Sequence, residues 1–192
     1  MRFIVGLGNP GHTYHGTRHN VGFAVIQLLA ERRCVAMQQR MVHPADGRPA
    51  AVAGDYPLGG GTVRLMMPLT MMNESGEALQ GTAASPELLI VCDDVNLPLG
   101  TLRLRPEGSA GGHHGLQSCL ALLGTERVPR LRIGVGPAQL PGDLHDFVLS
   151  RFERDEHPLI AQALAQAADA CECWAQDGID AAMNRYNTPH TP

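Results

Sequence analysis

The sequence contains no lysine; all 15 of its basic residues are arginine. This excludes a P-loop lysine, a Schiff-base lysine for a pyridoxal cofactor and a serine–lysine dyad, because each needs that amine. Long apolar runs are also missing. Leu88 to Cys92 is among the longest and is far too short to cross a bilayer. The apolar start reaches the Gly8-Asn9-Pro10-Gly11 turn too early to serve as a secretory h-region. A cytoplasmic protein with no membrane partner is expected. There is no G-x-S-x-G elbow and no H-E-x-x-H pair, which disfavours an α/β-hydrolase serine and a zincin site. His113 and His114 are adjacent, so on a helix they diverge and share a metal poorly. The five cysteines are an odd number, as for reduced thiols, and the Cys171–Cys173 spacing is unlike a zinc half-site. They are expected to be structural, and no metal is expected. A net charge of −4 argues against wholesale electrostatic binding of nucleic acid, although a local basic patch remains open.

What is present points to one domain over residues 1–192, with 44% apolar residues and many turns from 22 glycines and 14 prolines. Phe3 to Leu7 predicts a buried strand, and Asn20 to Arg33 predicts a helix with Asn20 suited to cap it. Ala50 to Ala53 and Val63 to Met67 predict strands on either side of Gly59-Gly60-Gly61. A helix over 73–84, a strand at Leu88 to Val91 and another at Thr101 to Arg105 follow. The expected order then runs through a helix at Gly111 to Leu123, a strand at Leu131 to Val135 and helices at Glu153 to Gln176 and Ile179 to Tyr186. The last five residues are expected to fray. Strands alternating with helices imply an α/β fold with a mixed, largely parallel sheet.

In such sheets, sites gather at the carboxyl ends of the strands. Four polar segments are candidates: Asn9 through Asn20, Thr70 through Asn73, Asp93 through Asn96, and Gly108 through Gly115. Gly6-x-Gly8 has the look of a dinucleotide loop, but Pro10 interrupts it and no helix opens directly from it. A histidine and an aspartate from separate strand ends suit general-base hydrolysis, the carboxylate fixing the tautomer of the imidazole. Nearby Asn amides can donate to an oxyanion or hold a peptide backbone. Spacing alone leaves open a capping or surface role for His19 and a solvated strand end for Asp93-Asp94.

Longer motifs carry more. Ile4-Val5-Gly6-Leu7-Gly8-Asn9-Pro10-Gly11, Tyr14 and Thr17-Arg18-His19-Asn20-Val21-Gly22 resemble the opening signature of bacterial peptidyl-tRNA hydrolases. Pro68 through Gly76, Asp93-Asp94 with Leu97 through Gly100, and Gly108 through His113 with Gly115-Leu116 are similar to later motifs of that family, in the same order. Leu131 through Gly136, Phe147 through Leu149 and the segment from Asp177 to Asn184 continue the match along nearly the whole chain. The resemblance implies a monomeric α/β/α domain with a twisted mixed sheet, no cofactor and no obligate protein partner. It further implies hydrolysis of the ester joining a peptide to tRNA, with His19 as base, Asp93 holding it, and Asn9 and Asn73 contacting the peptide. Tyr14, Met71, His113 and His114 are implied to line the cleft. Arg103 and Arg105 on one strand edge, with Arg127, Arg130 and Arg132 further on, offer phosphate contacts, and Arg105 and Arg132 are the pair singled out. Met71, Cys92 and His114 depart from the commonest family pattern, which has Phe, His and Asn there. The alternative is a non-catalytic RNA-binding scaffold of the same fold, which an intact His19 and Asp93 disfavour.

Overall fold

The computed structural model describes residues 1–80, 87–136 and 142–187. The far end of the helix expected over 73–84 and the tail at 188–192 lie outside them. The elements are β1 (Arg2–Gly6), α1 (Val21–Arg32), β2 (Gln39–Val42), β3 (Pro49–Leu58), β4 (Gly61–Pro68), β5 (Leu88–Pro98), β6 (Leu102–Arg105), α2 (His114–Leu123), β7 (Arg130–Gly136), α3 (Leu144–Leu149), α4 (His157–Asp177) and α5 (Ile179–Tyr186). Short 3₁₀ segments cover His12–Tyr14, Arg18–Asn20 and Met72–Leu79. The last of these stands where the sequence predicts an α-helix. Its Ser75 hydroxyl bonds Met72 O and Gly76 packs against the Ser118 backbone, which draws the turn tight against α2.

One seven-stranded sheet runs in the order β2-β3-β4-β1-β5-β7-β6. β4, β1, β5 and β7 pair in parallel, while β2, β3 and β6 add antiparallel edges. The mixed, largely parallel sheet expected from the strand–helix alternation is therefore present. Alternation along the central strands divides the core between two faces. Ile4, Leu65, Leu89, Val91, Leu131 and Ile133 meet Val25, Leu29 and Trp174 from α1 and α4. Val5, Met66, Leu88, Ile90 and Cys92 meet Leu116, Cys119 and Leu120 of α2. The edge strand β6 is closed by Asn187, whose amide accepts from Leu104 N at 2.6 Å and donates to Leu104 O at 3.3 Å.

The strand carrying Asp93 is longer than its apolar run. β5 continues through Asp93 and Asp94, which pair with Ile133 and Gly134 of β7. Asp93 is thus held in the sheet and is not part of a loop.

Candidate active site

Three chain segments converge above the ends of β1 and β5. Gly22 has no room for a Cβ against Leu7 O and Val91 O, so the start of α1 sits directly on those strands. This places the Arg18–Asn20 turn beside Asp93. Gly111 and Gly112, both at positive φ, turn the chain from the other side and bring His113 to the same carboxylate.

His19 Nδ1 lies 2.8 Å from Asp93 Oδ1, and His113 Nε2 lies 2.9 Å from the same oxygen. The tautomers follow from the other partners. His113 Nδ1 accepts from Leu116 N at 3.1 Å, capping α2, so its proton sits on Nε2 and is donated to Asp93. An ionised Asp93 can only accept, so His19 Nδ1 carries a proton and its Nε2 lone pair remains available to the cleft. Burial alone would raise the Asp93 carboxyl. The interactions with His113, followed by those with His19 (a hydrogen bond from each ring, and the positive charge either ring gains on protonation), more than offset this and hold it well below the usual carboxylate range.

Asn9 is fixed as completely. Its Oδ1 accepts from Met72 N at 2.8 Å, which leaves Nδ2 with its two donors for the cleft it lines. Its backbone is clamped by Asn20, which accepts from Asn9 N and donates to Asn9 O, both at 2.9 Å. Asn20 therefore occupies the cap position of α1 without capping it, a correction to the sequence expectation. Both of its amide atoms are already spent on Asn9.

These groups line a cleft of about 540 Å³ together with Tyr14, Met71, Asn73, His114 and Arg132. Tyr14 is half-buried, while Met71, Asn73 and His114 are exposed at its rim. His113, placed among the lining residues by resemblance, is buried at the carboxylate itself. Met72, Val95 and Asn96, from two of the candidate segments, complete the wall together with Leu144, His145, Val148 and Leu149 around α3, which the sequence reading missed. A six-residue helix leaves too short a period to be read from sequence.

The two arginines singled out for phosphate differ. Arg105 is exposed and opposes Arg130 across the β6–β7 pair, and Arg103 opposes Arg132. Directly opposed residues share a face, so all four arginines lie on one side of this edge. Arg132 donates to Asp94 Oδ2 at 3.1 Å and to Ser109 O and Ala110 O at 3.0 and 2.9 Å. Arg130 is fully buried and donates to Val128 O, Gly108 O, Ser109 O and Glu126 O. Both thus brace the loop that delivers His113.

The Cys92 thiol, next to Asp93, is pushed up to about 12 by burial and is no nucleophile at neutral pH. His19, Asp93 and His113 bring three possible metal-ligating atoms within 4.8 Å of one another. The donor set fits a cation poorly, because His113 would have to bind through the protonated Nε2 while Nδ1 still accepts from Leu116. What this arrangement suits is proton transfer at His19 Nε2, beside an amide donor on Asn9.

Known proteins resemble this chain along nearly its whole length. A family model for peptidyl-tRNA hydrolase matches residues 3–192. The peptidyl-tRNA hydrolase of Alkaliphilus oremlandii is 44% identical over 97% of this chain and all of its own length. That of Roseiflexus castenholzii is 44% identical over 98% of this chain and 88% of its own. The crystal structure of peptidyl-tRNA hydrolase from Acinetobacter baumannii superposes with a TM-score of 0.86 at 31% identity, covering 98% of this chain and 95% of that one.

Proposed function

The chain belongs to the peptidyl-tRNA hydrolase family, and on that premise we propose that His19 is the general base that hydrolyses the ester between a peptide and tRNA. The observation that carries this is the double grip on Asp93 Oδ1, which leaves His19 Nε2 as a basic atom free to face the cleft beside Asn9. A water held at Nε2 gives its proton to the imidazole and attacks the ester carbonyl carbon. The imidazolium so formed is stabilised by Asp93. The oxygen of the tetrahedral intermediate becomes negative and takes hydrogen bonds from Asn9 Nδ2. Collapse breaks the bond to the ribose oxygen, which leaves with the proton returned by His19. The products are the free peptide acid and tRNA with its hydroxyl restored. Water is the only co-reactant, so no cofactor is needed.

Asn73, exposed at the rim, holds the peptide backbone beyond the ester, and Tyr14, Met71 and His114 flank it. A free aminoacyl group lacks that peptide carbonyl and brings a charged amine in its place, which accounts for selection of blocked substrates. Arg105 and Arg103 meet tRNA phosphates from the β6 edge, while Arg132 contributes mainly by holding the loop of His113. We place the enzyme in the cytoplasm as a monomer. Its five cysteines are free, as thiols in a reducing compartment are.

The test is release of N-acetylated aminoacyl groups from tRNA, compared with the same tRNA carrying a free amine. Cleavage of the blocked form with the free form largely spared supports the reading. Retained tRNA binding with no cleavage would instead favour the non-catalytic scaffold.

A further inference from the structure

The residue immediately before the base is an arginine with almost no exposure, its side chain 5% accessible. Arg18 belongs to the same 3₁₀ turn as His19, yet its guanidinium points away from Asp93 toward α3. It lies between two aromatic rings, 4.5 Å from the centroid of Phe147 on α3 and 4.8 Å from that of Phe152 just beyond it. Its Nη2 pairs with Glu156 Oε2 at 2.6 Å, its Nη1 reaches Val135 O at 3.3 Å and its Nε reaches Ser150 Oγ at 3.4 Å. The backbone joins in: Arg18 N donates to Ser150 O at 3.0 Å, and Thr17 bridges Arg151.

α3 needs such a fastening. None of its six residues is fully buried, so little core packing holds it in place. Its main packing partner among the described elements is the Arg18–Asn20 turn. At the same time Leu144, Val148 and Leu149 give the cleft an apolar wall. On a helical wheel Phe147 lies about 100° from Val148 and about 160° from Leu149, although it shares a face with Leu144 three residues before it, so Arg18 grips the helix from its flank and leaves Val148 and Leu149 to the cleft.

A hydrophobic side chain would fill the gap between two rings at lower cost, because burying a charge is expensive even when paired. Only a guanidinium can pack against two rings and still direct its donors to Glu156, Ser150 and Val135. We propose that Arg18 is a positioning residue. It docks α3 against the turn that carries the base, so that the apolar wall and His19 meet the peptide as one unit. This rests on the reading of the cleft as a peptidyl-tRNA site and adds a residue through which peptide binding is set.

The test uses N-acetylated aminoacyl-tRNA with the whole protein, the Arg18→Met and Phe147→Ala variants and their double. Phe147 is only half-buried, so its variant should melt with the natural protein even if Arg18→Met folds poorly. Each single variant should raise KM about tenfold, the loss expected of one desolvated cation–π contact. Turnover should stay within about threefold, since the wall binds peptide and does not touch the proton path. The double variant should be no worse than the more affected single one, because both cut the same contact. A fall in kcat with KM unchanged would show that Arg18 acts on His19 directly and would overturn the proposal. So would unchanged KM in Phe147→Ala, or multiplied effects in the double variant. A natural protein that binds this tRNA without cleaving it would overturn the hydrolase reading, a distinct failure.

Discussion

Replacing Asp93 by Asn isolates what its charge does, because the structure predicts that its geometry survives. Both imidazoles bond the same oxygen, Oδ1. An asparagine can keep a carbonyl oxygen there and accept from both N–H groups, so neither ring must change its tautomer. Only the charge that stabilises the imidazolium is lost. At a ring-to-carboxylate separation of about 4 Å and an effective dielectric of about 20, that interaction is about 4 kcal/mol. At about 1.4 kcal/mol per factor of ten, the upper limit is near a thousandfold. Single-turnover release from N-acetylated aminoacyl-tRNA should therefore slow by about a hundred- to a thousandfold in Asp93→Asn. Asp93→Ala, which leaves two buried N–H donors without an acceptor, should be slower still by about tenfold. If Asn and Ala are equally inactive, the amide has turned, His19 has lost its tautomer and the shared-acceptor account fails. If Asn slows the reaction less than tenfold, the charge is not used.

Three further outcomes follow from other contacts. Asn20→Ala should lower kcat/KM by about ten- to a hundredfold, the scale of losing a buried pair of hydrogen bonds that hold Asn9; unaltered kinetics would show that Asn9 is placed by Met72 alone. Arg105→Ala should reduce the salt slope of tRNA binding by about 1, whereas Arg132→Ala should chiefly lower kcat as the His113 loop loosens; equal changes of slope would put both guanidinium groups on phosphate. Asp93 has a lowered folded pKa, so it contributes stability above the unfolded carboxylate value of about 3.9, and this is lost as pH falls toward the folded value. Acid unfolding of Asp93→Asn should accordingly be less steep in that range than that of the natural protein, and coincident curves would refute the linkage.

Much of this site can be read in the sequence where chemistry and local pattern coincide. His19 and Asn9 lie in a polar turn after a short apolar strand, and Ile179–Tyr186 is found where its periodicity places it. The reading failed where a residue's partner lies outside its own element. Asn20 before an apolar helix looks like a cap, yet the nearby Asn9 backbone takes both of its amide atoms. Asp93 falls two residues past the strand expected at Leu88 to Val91, because β7 extends the pairing through it. Of the two methionines, the exposed Met71 drew attention, while the buried Met72 supplies the N–H that orients Asn9. Nothing local marks β2, α3 or the reach of Arg18 across the fold, since each depends on contacts far apart in the chain.

The central claim is that His19 Nε2 removes the proton from water, and His19→Ala tests it most directly. Turnover of saturating N-acetylated aminoacyl-tRNA should fall by about 10²–10⁴-fold, the worth of a positioned general base. The Kd for uncleaved tRNA should remain close to that of the natural protein. Near-normal turnover in that variant would show that another residue is the base.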